Sequence, residues 1–294
     1  MTSPDHAPLY ALADVAPELP VTFLPEKVEY PFSNDDSLDS LEEAYERVNQ
    51  PSYNNDLNNV ALIMGEGALS TAIVATPEKT IVLIDKNPHM ALHMRRYVDY
   101  FRISEDDEDW LRNMGLYFDS TVMSPDTRKD FALALEDQIQ WWNASGKAHA
   151  LDGPEIFQHS KEHFQAKAII PWHADITNTE DMQTLGDHLH RLDAQITFLN
   201  LTNAIPTNTR LIPNASVAAD MLSPLPIVAD APILTFSPCP SRRLASKLAR
   251  VNTEPLLQPT GPFYGLEDLR TRGGDSIKGP IARPIYRQGR PKLA

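Results

Sequence analysis

Hydrophobic residues recur in two alternating patterns from residue 60 onward. Short continuous apolar runs are typical of buried strands, and the segments between them repeat apolar residues every three or four positions, as one face of a helix does. The runs are VALIM at 60–64, TIVLI at 80–84, AIIPW at 168–172, ITFLN at 196–200 and PILTF at 232–236. Because continuous apolar strands that alternate with amphipathic helices indicate a covered parallel sheet, we predict an α/β fold with a doubly wound, mostly parallel sheet.

Three of the predicted helices combine a start signal with an apolar stripe. Asn87-Pro88 and Ser124-Pro125 each supply a cap and a proline at the first helical position, and Thr179 opens the third helix. The stripes are Met90, Met94, Tyr97, Val98 and Phe101; Phe131, Leu135, Ile139 and Trp142; and Met182, Leu185, Leu189 and Leu192. We expect further helices near 155–166 and, before the first strand, at SLDSLEEAYERV.

The pattern divides the chain into two parts. Residues 1–58 form an acidic arm rich in Pro, Asp and Asn, and residues 59–294 form the α/β domain. Within the domain, we expect a helical insertion over 102–166, because about eighty residues separate the second and third strands; it includes an acidic connector, SEDDEDW. The last part, 241–294, is basic and rich in Pro and Gly.

Composition excludes several classes of protein. A net charge of −14 argues against binding of nucleic acid through its phosphates. Cys239 is the only cysteine, which excludes an intrachain disulfide and suits a reducing cytoplasm. No apolar run approaches the ~20 residues of a membrane span, and the first basic residue is Lys27, which argues against a signal peptide. We therefore predict a cytoplasmic protein that binds neither nucleic acid nor membrane.

The segment GEGALS, which follows the first predicted strand, suits a nucleotide. Gly65 and Gly67 allow a sharp turn into a helix and let a ligand approach the bare backbone. The amides at the start of that helix favour electron-rich ligand groups. Asp85 ends the neighbouring strand, where its carboxylate can accept both hydroxyls of an adenosine ribose. Alternatively, the segment is only a tight turn and Asp85 is a solvated side chain.

Two residues in this segment argue against a dinucleotide. The dinucleotide fingerprint has Gly or Ala at its third position, where this chain has Ser70. Glu66, between the two glycines, would repel a pyrophosphate but would suit a cationic sulfonium or an amino group.

VALIMGEGALS together with TIVLID resembles the first motif and the acidic strand end of the class I S-adenosylmethionine-dependent methyltransferases. Over residues 58–240, PWHADITN and TFLNLTNA also resemble the third- and fourth-strand motifs. The resemblance implies an S-adenosylmethionine cofactor, a small or medium-sized methyl acceptor, and a sheet that ends with an antiparallel hairpin. ARPIYR is a candidate strand of that hairpin; alternatively, the tail is extended and lies on the surface. The resemblance also assigns roles to individual residues. It places the two glycines under the methionine part, Asp85 on the ribose, and Asp175 with Ile176 on the adenine. The cofactor-binding residues that it implies are Gly65, Glu66, Gly67, Asp85, Lys86, Asp175, Ile176 and Asn200.

The fourth strand departs from the family pattern. Enzymes that methylate amide or base nitrogens often carry Asp/Asn-Pro-Pro-Tyr/Phe there, and NLTNA lacks the prolines and the aromatic residue. Side-chain or small-molecule O- or N-methylation, an aminopropyl-type transfer and a pseudoenzyme remain open. The catalytic candidates are Asn200 and Asn203, which could also be structural strand-end residues, and His173, which is either a general base or structural.

Two other function classes compete with the methyltransferase. One is a nicotinamide-dependent oxidoreductase on a similar sheet, although its common Tyr-x-x-x-Lys dyad is missing at Tyr97 and Tyr117. The other is a non-catalytic protein that binds a nucleoside or a partner. Trp141 and Trp142 close the predicted insertion helix, and one of them could cover the pocket or contact a second copy of the chain in a homo-oligomer.

The segment HSKEH raises the alternative of a zinc peptidase. His159 and His163 would share a helix face beside Glu162, but the site needs a further acidic ligand, for which Glu254 is the nearest candidate downstream. The predicted sheet belongs to another architecture, and a second pair, His188 and His190, points in different directions on a helix. We therefore predict no metal site.

Overall fold

The computed structural model describes residues 7–22, 58–64, 78–119, 153–201, 215–234 and 263–272. Its helices are α1 (Ala7–Asp14), α2 (Pro88–Ile103), α3 (Asp107–Asp119), α4 (Pro154–Ala166), α5 (Thr179–Arg191), α6 (Ala215–Met221) and α7 (Gly265–Arg272). Its strands are β1 (Asn59–Met64), β2 (Thr80–Asp85), β3 (Ala168–His173), β4 (Gln195–Asn200), β5 (Pro232–Leu234) and β6 (Phe263–Tyr264).

The strands form one mixed sheet in the order β3-β2-β1-β4-β5-β6. Strands β1 to β5 are parallel, and β6 pairs with β5 in the antiparallel direction. Each of the five apolar runs contributes one of the parallel strands, so the predicted parallel α/β sheet is confirmed. The fold is consistent with the Rossmann-like class. The segment ARPIYR lies outside the described residues, and the antiparallel strand is formed earlier in the chain, by β6.

Helices cover both faces of the sheet. Alternate strand residues such as Val60 and Val82 belong to a core cluster that also holds apolar residues of α1, α5, α6 and α7. The residues between them, such as Ala61 and Leu83, are equally buried on the opposite face, where α2 packs against β2 and β3. Burial on both faces explains why these strands are continuously apolar rather than alternating.

The two helices with the clearest start signals begin where predicted. The side chain of Asn87 caps α2 by accepting a hydrogen bond from the amide of His89 at 3.0 Å, and Pro88 follows at the first helical position. Asn178 caps α5 in the same way through the amide of Glu180, at 3.0 Å. The predicted stripes face the core, except that Leu192 is the half-buried residue at the end of α5.

The region between β2 and β3 differs from the prediction at the acidic connector and agrees with it at the helix expected near 155–166. The acidic connector ends at Asp106, because α3 begins at Asp107 and has Asp107, Glu108 and Asp109 in its first turn. Carboxylates favour that position because the amino terminus of a helix carries partial positive charge. The helix expected near 155–166 is α4. The helix predicted after Ser124-Pro125 and the one at SLDSLEEAYERV lie outside the described residues.

Aromatic rings join α2, α3 and α4. Phe101 of α2 stacks on Phe157 and Phe164 of α4, with ring centroids 4.9 and 4.3 Å apart. Trp110 of α3 meets Tyr97 of α2 edge-on at 4.9 Å. All five rings are buried, so these helices share one apolar contact beside the sheet.

The helix α1, which the sequence did not predict, packs against β3. Its Leu12 is fully buried in the core cluster, so part of the acidic arm contributes to the core. Within the ranges described here, no helix is both long and apolar enough to cross a membrane.

Candidate functional site

The parallel strands bring several predicted residues to one edge of the sheet. Asp85, His173 and Asn200 are the last residues of β2, β3 and β4. Asp85 pairs in register with His173, and Asn200 pairs with Ile63 of β1. Since parallel strands end at the same edge, this edge is where a doubly wound sheet binds its ligands.

The carboxylate of Asp85 organises the turn from β2 into α2. Its Oδ1 accepts a hydrogen bond from the amide of Asn87 at 2.7 Å, and the side chain of Asn87 in turn caps α2. Asp85 is half-buried, whereas Lys86 beside it is exposed. A charge-assisted bond of this length holds the carboxylate in one orientation at the surface of the edge.

The loop after β3 holds the second carboxylate. Oδ1 of Asp175 accepts hydrogen bonds from both the amide and the hydroxyl of Thr177, at 2.8 and 2.7 Å. The amide of Asp175 donates to Oδ2 of Asp181 at 2.8 Å, which ties the loop to the first turn of α5. Ile176, the predicted apolar contact for adenine, is buried in the core cluster, with 7% of its surface exposed.

Two hydrogen bonds connect the loops that carry these carboxylates. The amide of Ala174 donates to the carbonyl of Asp85 at 3.1 Å, which extends the sheet by one bond. Nε2 of His173 lies 3.2 Å from the carbonyl oxygen of Lys86. The ends of β2 and β3 therefore form one connected unit.

Of the remaining predicted residues, the structure describes Asn200 and not the others. Asn200 is fully buried at the end of β4. Met64 is the last residue of β1, so the chain enters GEGALS at this same edge. Gly65, Glu66, Gly67, Ser70 and Asn203 themselves lie outside the described residues, as do Cys239, Trp141, Trp142 and Glu254.

Sequence reasoning missed two residues that shape the site. Asn87 was identified only as a helix cap, yet its amide holds Asp85. Thr177 follows Asp175 by two residues, and this Asp-x-Thr spacing is the usual signal for a side chain that bonds the backbone two positions on. Both signals were visible in the sequence.

The histidine pairs occupy helix surfaces. The rings of His159 and His163 on α4 lie 4.8 Å apart, and burial, followed by the proximity of His159, lowers the pKa of His163. The ring of His188 meets Trp172 edge-on at 5.7 Å, apart from His190. Among the described residues, no group of three or more His, Cys, Asp or Glu side chains is arranged to hold a metal ion.

A separate polar cluster lies at the opposite, amino-terminal end of the sheet. Oε1 of the buried Glu78 accepts a hydrogen bond from the hydroxyl of Thr197 at 2.8 Å, and Nζ of Lys167 donates to the Glu78 carbonyl oxygen at 3.0 Å. Burial raises the pKa of the Glu78 carboxyl, and burial lowers the pKa of Lys167 to about 8. Thr197 occupies an irregularity in the pairing of β1 with β4, between the partners of Val60 and Ala61.

Comparison of the chain with models of protein families and with curated proteins gives no match. The residues at the carboxyl ends of the strands are therefore the basis for inferring a function.

Proposed function

We propose that this protein binds S-adenosylmethionine at the carboxyl ends of its parallel strands and transfers the methyl group to a small or medium-sized acceptor. The observation that carries the proposal is the Asp85 carboxylate, held at the end of β2 directly beside the strand that leads into GEGALS. A carboxylate at this position in a doubly wound sheet is suited to the hydroxyls of a nucleotide ribose.

The described carboxylates fit the donors of an adenosine group. A carboxylate has about four acceptor positions, so holding the Asn87 amide is compatible with accepting ribose hydroxyls at Asp85. Asp175, on the connected loop, would accept from the adenine amino group, whereas Ile176, with 7% of its surface exposed, offers the adenine ring little apolar contact. Lys86 flanks Asp85 at the mouth of this site, and Gly65, Glu66 and Gly67 would hold the methionine part.

One feature of the architecture supports the methyltransferase assignment over the general nucleotide-binding class. The sheet ends with an antiparallel strand, β6, beside β5, and the family resemblance implies an antiparallel hairpin at that place. The order of the first five strands is shared with dinucleotide-binding folds and does not discriminate by itself.

The protein's contribution to methyl transfer would be orientation. S-adenosylmethionine supplies an electrophilic methyl group on a sulfonium, so the residues at the edge need only hold donor and acceptor in line. Asn200 and Asn203, at and after the end of β4, are the candidates on the acceptor side. Asn200 is fully buried, which suits a residue that holds a fixed orientation.

The second candidate is a nicotinamide-dependent oxidoreductase. Asp85 favours it equally, because an acidic residue at the end of the second strand also binds the ribose of NAD. Glu66 argues against it because its carboxylate would repel a pyrophosphate. Ser70 argues against it because the dinucleotide fingerprint has Gly or Ala at that position.

Thermal unfolding with each ligand separates the two candidates. A ligand bound only by the native state raises the melting temperature, by an amount that grows with ligand concentration over Kd. We expect S-adenosylhomocysteine to raise the melting temperature and NADH at equal concentration to leave it unchanged. The matched control is Asp187→Ala, which removes an exposed carboxylate of α5 and should respond like the parent. A rise with NADH alone would refute the methyltransferase proposal.

A further inference from the structure

The peptide group between Lys86 and Asn87 is held at both of its polar ends. Its carbonyl oxygen lies 3.2 Å from Nε2 of His173, which belongs to the neighbouring strand. Its N–H donates to Oδ1 of Asp85 at 2.7 Å. The two hydrogen bonds therefore join an imidazole to a carboxylate through a single backbone unit.

This unit is rigid. A peptide group is planar, so fixing the direction of its carbonyl also fixes the direction of its N–H. Hydrogen bonds in series polarise one another, so a donor on the carbonyl strengthens donation by the N–H. The orientation of the Asp85 carboxylate thus depends on a side chain that need not touch it.

The register of the sheet places the imidazole where this connection requires it. His173 is paired with Asp85 across β2 and β3, and the amide of Ala174 continues the ladder to the Asp85 carbonyl at 3.1 Å. The chain leaves the sheet immediately afterwards, because Pro88 starts α2. Lys86 therefore lies between the last ladder bond and the helix cap, and its carbonyl is held from β3 by the side chain of His173.

We infer that His173 is a positioning residue that orients the Asp85 carboxylate through the Lys86–Asn87 peptide. The geometry assigns the proton of the neutral imidazole to Nε2, because a carbonyl oxygen can only accept. Nε2 is then a donor to the backbone and not a general base. The consequence for ligand affinity rests on the proposed binding of S-adenosylmethionine, but the orientation of Asp85 does not.

Two substitutions at this position separate positioning from simple support of the fold. His173→Ala removes the donor, whereas His173→Gln places an amide N–H near the position of Nε2 and should restore the bond in part. His190→Ala, an exposed histidine of α5, is the matched control. The first measurement is hydrogen exchange of the Asn87 amide by NMR in the ligand-free protein. The second is the Kd of S-adenosylhomocysteine by calorimetry.

In His173→Ala we expect the Asn87 amide to exchange about 3- to 10-fold faster and S-adenosylhomocysteine to bind about 3- to 10-fold more weakly, the effect of one net hydrogen bond. His173→Gln should recover part of both changes, and His190→Ala should show neither. The melting temperature should fall by at most about 4 °C in either His173 variant.

Unchanged exchange at Asn87 in His173→Ala would overturn the inference, as would equal losses in the Ala and Gln variants. If the parent protein binds no S-adenosylhomocysteine, the proposed function fails, and exchange at Asn87 alone decides whether His173 orients Asp85.

Discussion

The two ends of the parallel sheet use the same kinds of side chain in opposite ways. At the amino-terminal end, Glu78 is 3% exposed and lies beside Thr197 and Lys167. At the carboxyl-terminal end, Asp85 and Asp175 are half-buried and accept hydrogen bonds from backbone amides of their own loops.

The difference lies in what surrounds each carboxyl group. Burial raises the pKa of Glu78, so its environment opposes the charged form and offers no access to a ligand. Asp85 and Asp175 instead have fixed orientations near solvent, which suits groups that must exchange water for a ligand. We therefore expect changes at the first end to alter stability and changes at the second end to alter ligand affinity.

The largest effect on stability is expected in the polar cluster at the amino-terminal end of the sheet. Lys167→Met removes the donor to the Glu78 carbonyl oxygen and the cation that favours the charged form of the Glu78 carboxyl, which together should cost about 3 kcal/mol of unfolding free energy. Urea unfolding measures this loss. The double variant with Glu78→Gln should recover part of it, and affinity for S-adenosylhomocysteine should not change. A Lys167→Met protein as stable as the parent would contradict the structural role of the cluster.

At the carboxyl-terminal end of the sheet, Asp175→Ala should weaken the binding of S-adenosylhomocysteine by about 1.5–3 kcal/mol, because one charge-assisted hydrogen bond to the ligand is lost. Asp175→Asn should fall between the parent and the Ala variant, since it keeps an acceptor for Thr177 but loses the charge. Calorimetry gives both affinities, and the melting temperature should fall by a few degrees in Asp175→Ala, which loses the hydrogen bonds from Thr177, and by less in Asp175→Asn. If affinity is retained in both variants, Asp175 has no part in binding.

The pH dependence of stability should come from Lys167, at the amino-terminal end of the sheet. Burial lowers the folded-state pKa of Lys167 to about 8, below the ordinary lysine value of 10.5, so between these two values the unfolded state binds more protons and stability rises with pH. Relative to Lys167→Met, we expect the parent to gain about 1–2 kcal/mol between pH 7 and 9.5. Urea unfolding across this pH range measures the difference in unfolding free energy between the parent and Lys167→Met. A difference that stays constant, or that changes against the parent as the pH rises, would contradict the prediction.

The smallest effect is expected on the surface of α4. Replacing both His159 and His163 by Ala should leave stability and ligand affinity nearly unchanged, because His159 is exposed and His163 is only half-buried. Elemental analysis of protein prepared in metal-free buffer provides a second test. Stoichiometric zinc that disappears in the double variant would show that these histidines hold a metal.

The two ends of the sheet also differ in how far the sequence predicts them. Asp85 could be identified because it directly follows an apolar run, and Asp175 because PWHADITN resembles a third-strand motif; both signals are local in the chain. Glu78 and Thr197 are 119 residues apart in the chain, so their contact depends on strand order and on the irregular pairing of β4. The spacing of apolar residues along the chain does not indicate such a contact.

Helix boundaries show the same limit. Asn87-Pro88 and Thr179 mark helix starts because a cap acts on the next few residues. The start of α3 was missed because Asp107, Glu108 and Asp109 have the composition of a solvated connector, and the contact of Trp110 with Tyr97 arises only when α3 packs on α2. Leu12 was missed for the same reason, since its burial depends on packing against the sheet.

Titration of S-adenosylhomocysteine into the parent and Asp85→Ala proteins tests the central claim most directly. If Asp85 accepts both ribose hydroxyls, its removal should cost about 2–4 kcal/mol, roughly 30- to 1000-fold in Kd. The fold should survive, because the half-buried carboxylate lies at the end of β2, outside the apolar core. Asp187→Ala should bind like the parent. Equal affinity of Asp85→Ala and the parent for S-adenosylhomocysteine would contradict a nucleotide site at this edge.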